Sequence, residues 1–388
     1  MTEQAKVPAI RFAGFTDPWE QRKLGDVASS FDYGLNAAAT EYDGQNKYLR
    51  ITDIDDETHE FSKSDLTTPL ADLAMSADYL LKESDLLFAR TGASVGKTYL
   101  YRQFDGMVYF AGFLIRARIG EGADPEFAYQ ATLTDAYKKY VAITSQRSGQ
   151  PGVNAQEYAD YQLMLPSKTE QQQIGMTLRS LDDLITLHQR KYDKLVVFKK
   201  SMLEKMFPKD GESVPEIRFA GFTDPWEQRK FSEIVDVCSG RDYKHLDEGP
   251  IPVYGTGGYM TSVSEALSHN RDAIGIGRKG TIDKPYLLKA PFWTVDTLFY
   301  AIPKSDINLE FALCSFLNVD WKSKDESTGL PSLSKESINE TVLSVPNVVE
   351  QNHLGNFFAD LDRLITLHQR KLELLQNIKK SLLDKMFA

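Results

Sequence analysis

Two stretches of the 388-residue chain carry apolar residues at helical spacing and are close copies of each other. Residues 181–207 and 361–387 are identical at 18 of 27 positions, and neither stretch contains proline or glycine. Apolar residues recur every three or four positions, which is typical of an amphipathic helix with one buried face. Lysines are concentrated in the C-terminal turns, where the helix dipole favours positive charge. The pattern predicts two long helices that carry the same apolar stripe.

Helix-start signals extend both predicted helices towards the N-terminus. Ser167 precedes Glu170 by three residues, and Asn347 precedes Glu350 in the same way. This spacing is typical of a capping box, in which the two side chains bond reciprocally to the first turn. The helical regions are therefore expected to begin near residues 168 and 348, each with an interruption at a glycine about seven residues later.

A stripe of this length must be buried, and two arrangements are possible. Each helix could lie on its own globular domain, or the two copies could pack on each other. We favour an antiparallel coiled coil with pseudo-twofold symmetry, since a heptad seam buries both stripes at once. The two histidines on the stripe are expected to be packed structural residues. The expected interface consists of Leu181, Leu184, His188, Leu195, Phe198, Met202, Leu361, Leu364, His368, Leu375, Ile378 and Leu382.

A second duplication lies ahead of each variable part of the chain. The segments 7–23 and 214–230 differ only at Ala9 and Glu216. We call them the leading segments. Their aromatic residues are expected to be hydrophobic anchors that join a helix end to a domain start, with the C-terminal end of the second helix returning near residue 7. These residues are Phe12, Phe15 and Trp19, with Phe219, Phe222 and Trp226.

The parts between the duplicated segments are unlike each other and read as mixed α/β. Apolar or alternating runs at 47–54, 85–90, 98–102 and 110–119 predict strands, and 125–144 predicts an amphipathic helix. The fold expected is therefore α/β (α+β), with two globular domains that are each followed by a long helix. The predicted divisions are 1–23, 24–167, 168–207, 208–230, 231–347 and 348–388.

Composition narrows the class of protein. With 42% hydrophobic residues the chain is expected to fold, and the two cysteines cannot supply a disulfide framework. No signal peptide and no run of 18 apolar residues is visible, so a cytoplasmic protein is expected. The net charge of −10 argues against a chain that binds nucleic acid by itself. Any DNA binding is expected to use local basic clusters or positive charge from a partner.

Motifs of catalysis are weak. The run from Gly92 to Thr98 is similar to a phosphate-binding P-loop, but it has three residues between its glycines where the motif needs four. A strand is also expected to follow it, where a P-loop opens a helix. Neither metal-ligand spacing nor a nucleophile motif is visible. We therefore expect no catalytic and no metal-binding residue.

The order of motifs resembles a known family. PWEQRKLGDV, KYLRITDI, DLLFARTGASVGK, SGQPGVN and EQQQIGMTLRSLDDLITLHQRK occur in the first half, and IPVYGTGGY, IGIGRKGTIDK and FWTVDTLFYAI in the second. Each motif is moderately specific, whereas their order, given twice, is highly specific. The chain resembles the specificity subunit of a type I restriction–modification system over nearly its whole length.

The resemblance implies a subunit without catalysis of its own. Its two target-recognition domains would each recognise one half of a split, asymmetric sequence in double-stranded DNA. The helices would space the domains and bind two methyltransferase (modification) subunits, which restriction (endonuclease/translocase) subunits join. No cofactor is expected in this chain, because S-adenosylmethionine, ATP and Mg would belong to the partners. A membrane partner is not expected. The alternatives are an enzyme acting alone and a coiled-coil scaffold without DNA recognition.

Basic and amide side chains in loops are the expected contacts to DNA, because they match base edges and phosphates. Since similar Arg and Lys residues recur in two domains with different targets, they could instead hold a hairpin in shape or bind phosphate. The candidates are Arg90, Lys97, Arg147, Gln150, Arg271, Arg278, Lys279 and Lys284.

Overall fold

The computed structural model divides into two compact units. Unit one comprises residues 1–189 with 370–388, and unit two comprises residues 190–369. The boundary falls inside both long helices. The described residues are 7–56, 58–147, 149–209 and 211–387.

Unit one combines short strands with four short α-helices, the beginning of one long helix and the end of another. Its strands are β1 (Glu20–Lys23), β2 (Ala28–Tyr33), β3 (Ala38–Glu41), β4 (Lys47–Leu49), β5 (Thr67–Leu70), β6 (Asp85–Ala89), β7 (Thr98–Leu100), β8 (Val108–Phe110), β9 (Leu114–Ile119) and β10 (Gln162–Leu165). Its helices are α1 (Leu24–Val27), α2 (Pro125–Ala131), α3 (Asp135–Thr144), α4 (Ala155–Ala159), the first part of α5 (Lys168–Lys205) and the last part of the second long helix.

Unit two follows the same plan. Its strands are β11 (Glu227–Lys230), β12 (Val235–Ser239), β13 (Ile251–Gly255), β14 (Gly258–Val263), β15 (Ala273–Gly277), β16 (Tyr286–Leu288), β17 (Trp293–Thr294), β18 (Leu298–Pro303) and β19 (Val342–Val345). Its helices are the last part of α5, α6 (Phe231–Ile234), α7 (Leu309–Asn318), α8 (Lys335–Glu340) and the first part of the second long helix, α9 (Val348–Met386).

Each unit contains its own four-stranded antiparallel sheet, and the two sheets have equivalent strand orders. The strand order is β2-β9-β6-β7 in unit one and β12-β18-β15-β16 in unit two. The central strands β6 and β15 are buried along their whole length, as expected for near-continuous apolar runs covered on both faces. The sequence-based expectation of mixed α/β domains is confirmed. Differences between the units lie mainly outside this sheet.

The leading segment closes each unit. Strand β1 pairs antiparallel with β10, and Glu20 lies opposite Leu165. Strand β11 pairs with β19 in the same register, so that Glu227 lies opposite Val345. The end of the leading segment is therefore hydrogen-bonded to the last strand before the long helix.

The tryptophans of the leading segments serve as buried anchors, as the sequence predicts, whereas the four phenylalanines are only half-buried. Trp19 is 6% exposed, and its ring lies 5.9 Å from that of Phe127. In unit two, Trp226 is 3% exposed and lies 6.1 Å from Phe311. Large aromatic side chains buried in this way contribute several kcal/mol each, on the order of 3–5 kcal/mol when truncated to alanine.

A helix end meets the leading segment in each unit. The backbone N–H of Ile10 donates to Lys385 O at 2.9 Å within unit one. In unit two, the N–H of Ile217 donates to Lys205 O, also at 2.9 Å. The end of the second long helix therefore returns to the N-terminal leading segment, although no peptide bond joins them there.

The predicted capping boxes form only in part. Glu170 N donates to Ser167 Oγ at 3.4 Å, which is the expected first half. The Glu170 carboxylate does not reach back to the first turn. It instead accepts two hydrogen bonds from Arg11, Nε to Oε1 at 2.8 Å and Nη2 to Oε2 at 2.7 Å. A cationic donor binds a carboxylate more strongly than a neutral backbone amide does, so the ion pair takes precedence.

The expected interruptions of the long helices are absent, since α5 and α9 run continuously through Gly175 and Gly355. A Cβ on Gly175 would lie 3.0 Å from Phe127 N and 3.1 Å from Glu126 Cβ. Glycine at this position therefore lets α2 approach the long helix closely. The prediction of a break was wrong because it treated a packing glycine as a helix breaker.

Antiparallel helical segments pack together inside each unit. In unit one, Lys379 Nζ lies 2.5 Å from Asp182 Oδ1. In unit two, Lys199 Nζ lies 2.6 Å from Asp362 Oδ1. The two ion pairs join equivalent positions of the repeat, because residues 182 and 199 correspond to residues 362 and 379.

The less exposed stripe differs from the predicted one. Leu184, Phe198, Leu364 and Ile378 are 39–44% exposed, so the structure does not place them in the buried stripe. The other eight predicted interface residues are half-buried or buried. The less exposed positions follow a regular 4-3 spacing, which is the heptad pattern. They are Leu181, Ile185, His188, Tyr192, Leu195, Lys199, Met202 and Met206, with their equivalents 180 residues later.

Two further sequence predictions need correction. Residues 125–144 form two helices, because the side chain of Thr134 caps a new helix by accepting from Tyr137 N. The run 47–54 is a strand only as far as Leu49, after which Ile51–Asp53 forms a 3-10 turn held by Arg50 and Asp53. In both places a side-chain hydrogen bond overrides the apolar pattern.

Candidate nucleic-acid interface

Each unit carries two loops that are hydrogen-bonded to each other, and we call them the paired loops. They comprise residues 90–97 with 149–153 in unit one, and residues 278–284 with 329–333 in unit two. Gly92 N donates to Pro151 O at 3.0 Å, and Gly280 N donates to Pro331 O at 2.8 Å. Isolated β-bridges add to this connection in both units. Two domains of unlike sequence therefore present one backbone frame.

Glycine is required where each first loop turns. Gly92 has φ +75° and Gly280 has φ +90°, values that residues with a side chain rarely adopt. A 3-10 turn at Gly92–Ser94 and then strand β7 follow, so this loop does not open a helix. The rejected similarity to a P-loop therefore has no structural counterpart.

An arginine opens each first loop and has the same surroundings in both units. Arg90 N donates to Phe113 O at 3.1 Å, and Arg278 N donates to Thr297 O at 2.8 Å. The Arg90 guanidinium lies 4.9 Å from the centre of the Tyr33 ring, and the Arg278 guanidinium 5.7 Å from the Phe299 ring. Attraction to the ring face holds each guanidinium in place and so orients it. An arginine shared by two unlike domains suits a common ligand, such as phosphate, better than base selection.

Lys97 differs from the other basic candidates because it is turned inward. Its side chain is 10% exposed, and Nζ donates to Ile54 O at 2.8 Å and lies 2.5 Å from Asp56 Oδ1. The ammonium charge is thus matched inside unit one, and we assign Lys97 a structural role. Lys284, at the end of the first loop of unit two as Lys97 is in unit one, is exposed.

Arg147 and Gln150 lie at the second loop of unit one. Arg147 Nη1 donates to Thr144 O at 2.7 Å, and Nη2 binds the carboxylate of Glu157 in the first turn of α4. Gln150 is exposed, and its Nε2 would lie 2.9 Å from a Cβ placed on Gly92. Both residues are therefore at the surface, Arg147 with its charge partly matched and Gln150 at the loop tip. Ser148, part of the motif quoted above, is outside the described residues.

The basic candidates of unit two are all exposed. Arg271 Nη2 donates to Pro303 O at 2.9 Å, which holds it against strand β18. Lys279 takes part in the β-bridge to Ser332 through its backbone. The paired loops thus bring Arg278 and Lys279 next to the tip at residue 330, whereas Arg271 is fixed at the end of β18.

An aspartate stiffens the second loop of unit two. Asp325 Oδ1 accepts from the backbone N–H groups of Ser332 and Ser327, each at 2.9 Å. These bonds favour the ionised carboxylate and hold the pKa of Asp325 below its usual value. The loop is therefore fastened at its base while its tip stays exposed.

Some residues of this face were not predicted from sequence. A cleft of about 610 Å³ lies beside Arg90 and is lined by Tyr33, Asn36, Arg50 and Phe113, among others. Phe113 is 63% exposed. In unit two, Tyr259 and Met260 are 64% and 53% exposed at the tip of the β13–β14 hairpin. Aromatic residues next to glycines were the available signal in the sequence, whereas the prediction rested on basic and amide side chains.

Within residues 7–56, 58–147, 149–209 and 211–387, no group of His, Cys, Asp or Glu side chains could hold a metal ion. Nor does any helix in that part of the chain have the length and apolar character needed to cross a membrane.

A family model described as "Type I restriction modification DNA specificity domain" matches residues 16–196 and 223–377. These two matches cover most of the chain, one in each repeat. The chain belongs to the type I restriction–modification DNA specificity family. The resemblance seen in the sequence is confirmed, and DNA target recognition is the function of this family. A coiled-coil scaffold without DNA recognition is not favoured.

Known specificity subunits are similar over almost the whole chain. The MjaVIII specificity subunit of a type I restriction enzyme from Methanocaldococcus jannaschii is 20% identical over 411 residues, covering 95% of this chain and 92% of that protein. The putative MjaX specificity subunit from the same organism is 20% identical over 413 residues, with the same coverage. The crystal structure of the type I S subunit from M. genitalium has a TM-score of 0.69 at 17% identity and covers 98% of this chain and 99% of that one. This likeness supports the two-domain fold.

Proposed function

We propose that this chain selects the DNA target of a type I restriction–modification complex and that each of its two domains recognises one half of a bipartite, asymmetric sequence. The observation that carries the proposal is the presence of two DNA specificity domains in one chain. Their unlike loop tips on a shared frame support unlike half-sites. The two domains are residues 24–167 and 231–347.

The paired loops supply the expected contacts to duplex DNA. Arginines held over aromatic rings can bind phosphate, and exposed tips can approach base edges in the major groove. Because the net charge is −10, the chain alone is expected to bind DNA weakly. Further positive charge would come from partner subunits, so specific binding is a property of the assembled complex.

The long helices offer one partner surface in two copies. Leu187 and Leu367, at equivalent positions of the repeat, are both 45% exposed. Leu184 and Leu364 are likewise both 43% exposed. Apolar residues exposed in the same way twice suit two identical partners better than one. We assign this surface to two methyltransferase (modification) subunits, which restriction subunits would join.

Catalysis belongs to those partners in this account. S-adenosylmethionine would bind to the methyltransferase subunits, and ATP and Mg would serve the restriction subunits. This chain contributes target choice and assembly, and it acts in the cytoplasm.

The proposal is tested by co-expressing the chain with its cognate modification subunits and measuring adenine methylation and gel-shift binding. We expect sequence-specific binding that weakens as salt rises, and methylation that requires this chain. The double variant Leu187→Asp/Leu367→Asp is expected to lose the methyltransferase subunits while remaining folded. Leu70→Asp, a change at a residue 67% exposed outside the helices, is the control. Turnover by the isolated chain, or salt-independent binding, would contradict the proposal.

A further inference from the structure

We infer that Gln150 and Leu330 are specificity-determining residues, Gln150 contacting an adenine edge and Leu330 the methyl group of a thymine. The inference rests on the proposed function and deepens it. It comes from comparing the paired loops of the two units with each other, position by position.

The frame around the two tips is the same in both units. Val153 N donates to Arg90 O at 2.9 Å, and Leu333 N donates to Arg278 O at 3.0 Å. Together with the bonds from Gly92 and Gly280, these contacts fix the backbone directly after the tip residue in both units. Gln150 and Leu330 each precede a proline in this frame, so both occupy the same place. A residue before proline is restricted to extended conformations, which limits the directions its side chain can take.

The side chains at the two tips differ in chemistry. Leu330 is 66% exposed, whereas the leucine three positions later, Leu333, is 3% exposed and belongs to the core. The frame thus buries one leucine of the loop and presents the other. Gln150 offers an amide donor and an acceptor at the same place. A frame that stays constant while its exposed tip changes is what separates target choice from general binding.

The surroundings of each tip suit duplex DNA. Arg278 and Lys279 lie on the loop bonded to the Leu330 loop, and Arg90 lies on the loop bonded to the Gln150 loop. A leucine alone on a surface needs no explanation. Here the loop of the leucine is hydrogen-bonded to the loop that carries Arg278 and Lys279, two exposed basic residues that could bind phosphates nearby. In the major groove, a glutamine amide pairs with adenine N6 and N7, and an apolar side chain contacts the thymine methyl.

The test uses the assembled complex of the full chain with its modification subunits, after its target has been mapped. Gel shifts compare the natural target with versions in which single thymines are replaced by uracil, which lacks the methyl group. For the wild type we expect one replacement, in the half recognised by residues 231–347, to weaken binding about fivefold, the loss of one apolar contact. The Leu330→Ala complex should bind both versions equally. Val342→Ala, a change at a residue 53% exposed elsewhere in unit two, should behave as the wild type.

The matching test for unit one replaces single adenines by 7-deazaadenine, which lacks N7. One replacement in the other half-site should weaken binding by the wild type and leave Gln150→Leu unaffected. In cells, Gln150→Leu and Leu330→Gln should each alter the methylated sequence in one half only. Circular dichroism and co-purification with the partners would verify folding.

The outcomes are distinguishable. If the wild type binds its target but no replacement separates it from either tip variant, this inference fails and the proposed function stands. A uniform loss of affinity for all sequences in the tip variants would also overturn it, since that indicates a contact without base choice. If the wild-type complex binds no specific sequence, the proposed function fails, and the inference fails with it.

Discussion

Arg11 and Glu170 form a two-point ion pair across 159 positions of sequence, with Nη2 and Oε2 2.7 Å apart. The glutamate side chain is 1% exposed, and the pair recurs as Arg218 and Glu350, also 1% exposed at the carboxylate. In each unit the pair ties the leading segment to the first turn of a long helix. The leading segments are therefore joints of the fold, which explains why they are nearly identical although the domains that follow them are not.

Removing one partner of this pair should destabilise the unit strongly. In Arg218→Ala, the buried carboxylate of Glu350 loses its cation, and the free energy of unfolding of unit two should fall by about 3–5 kcal/mol. Hydrogen exchange of buried amides in β15, followed in urea, measures this. Arg363→Ala removes the exposed pair with Asp360 and should cost about 1 kcal/mol or less. Equal effects of the two variants would contradict the assigned role.

The joint tryptophans should affect stability and leave the target sequence unchanged. Trp226→Ala removes a ring that packs on Phe207 and Phe311, and we expect a loss of about 3–5 kcal/mol in unit two. The measurement is urea unfolding together with the methylated sequence found in cells at permissive temperature. A changed target sequence in a variant of normal stability would contradict a purely structural role.

Substitution of Lys97 should affect stability, whereas substitution of Arg90 should affect DNA binding. Lys97→Met removes the bonds to Ile54 and Asp56, so it should lower the melting temperature of unit one and leave target affinity unchanged. Arg90→Ala should lower the affinity of the assembled complex for all sequences about tenfold and reduce the salt dependence of binding. Calorimetry and gel shifts at several salt concentrations measure both. Loss of target affinity in a stable Lys97→Met complex would contradict a structural role for Lys97.

Two neighbouring residues on α5 should differ strongly in how much stability is lost when each is replaced by aspartate. Leu195 packs against the core of unit two, whereas the adjacent Val196 is 41% exposed. Leu195→Asp buries an unpaired carboxylate and should unfold the helical part of unit two, while Val196→Asp should cost less than about 0.5 kcal/mol. Circular dichroism during thermal unfolding distinguishes the two. The reverse order of stability would place the apolar stripe on the other side of the helix.

The second loop of unit two should depend on pH through Asp325. Because its pKa is lowered in the folded chain, the carboxylate contribution is complete above the ordinary value of 3.8 and is lost as pH falls through the lowered one. Exchange protection of the Ser332 amide, relative to Asp325→Asn, should therefore stay constant from neutral pH to about pH 4 and decline only below it. A decline between pH 5 and 6 would show that another group controls the loop.

The architecture could be predicted because the chain contains two duplicated segments and apolar residues at helical spacing. The heptad phase was harder, since the run LDDLITL offers both Leu184 and Ile185 at helical spacing. The less exposed stripe also includes Lys199, a charged residue whose partner Asp362 lies 163 positions away, so the pattern directed the prediction to Phe198 instead. A polar residue matched by a distant partner cannot be recognised as buried from local sequence.

For the candidate site, the sequence predicted the types of residue but not their arrangement in space. Arg90 and Gln150 were chosen separately for their chemistry, and no local signal shows that backbone bonds bring their loops together. Lys97 carries the same charge as Arg90 but is turned inward by Asp56, which sequence alone could not reveal. The role inferred for Leu330 follows only from comparing the paired loops of the two units, because a leucine in a loop has no sequence signature of nucleic-acid binding.

The most direct test of the central claim is a genome-wide map of methylated adenines in cells that contain the modification subunits with or without this chain. The account predicts methylation that depends on the chain and falls in one asymmetric sequence of two parts separated by unspecified bases. Leu330→Gln should then change one of those parts and leave the other intact. Methylation that is unaffected by loss of the chain, or a single uninterrupted target, would contradict the account.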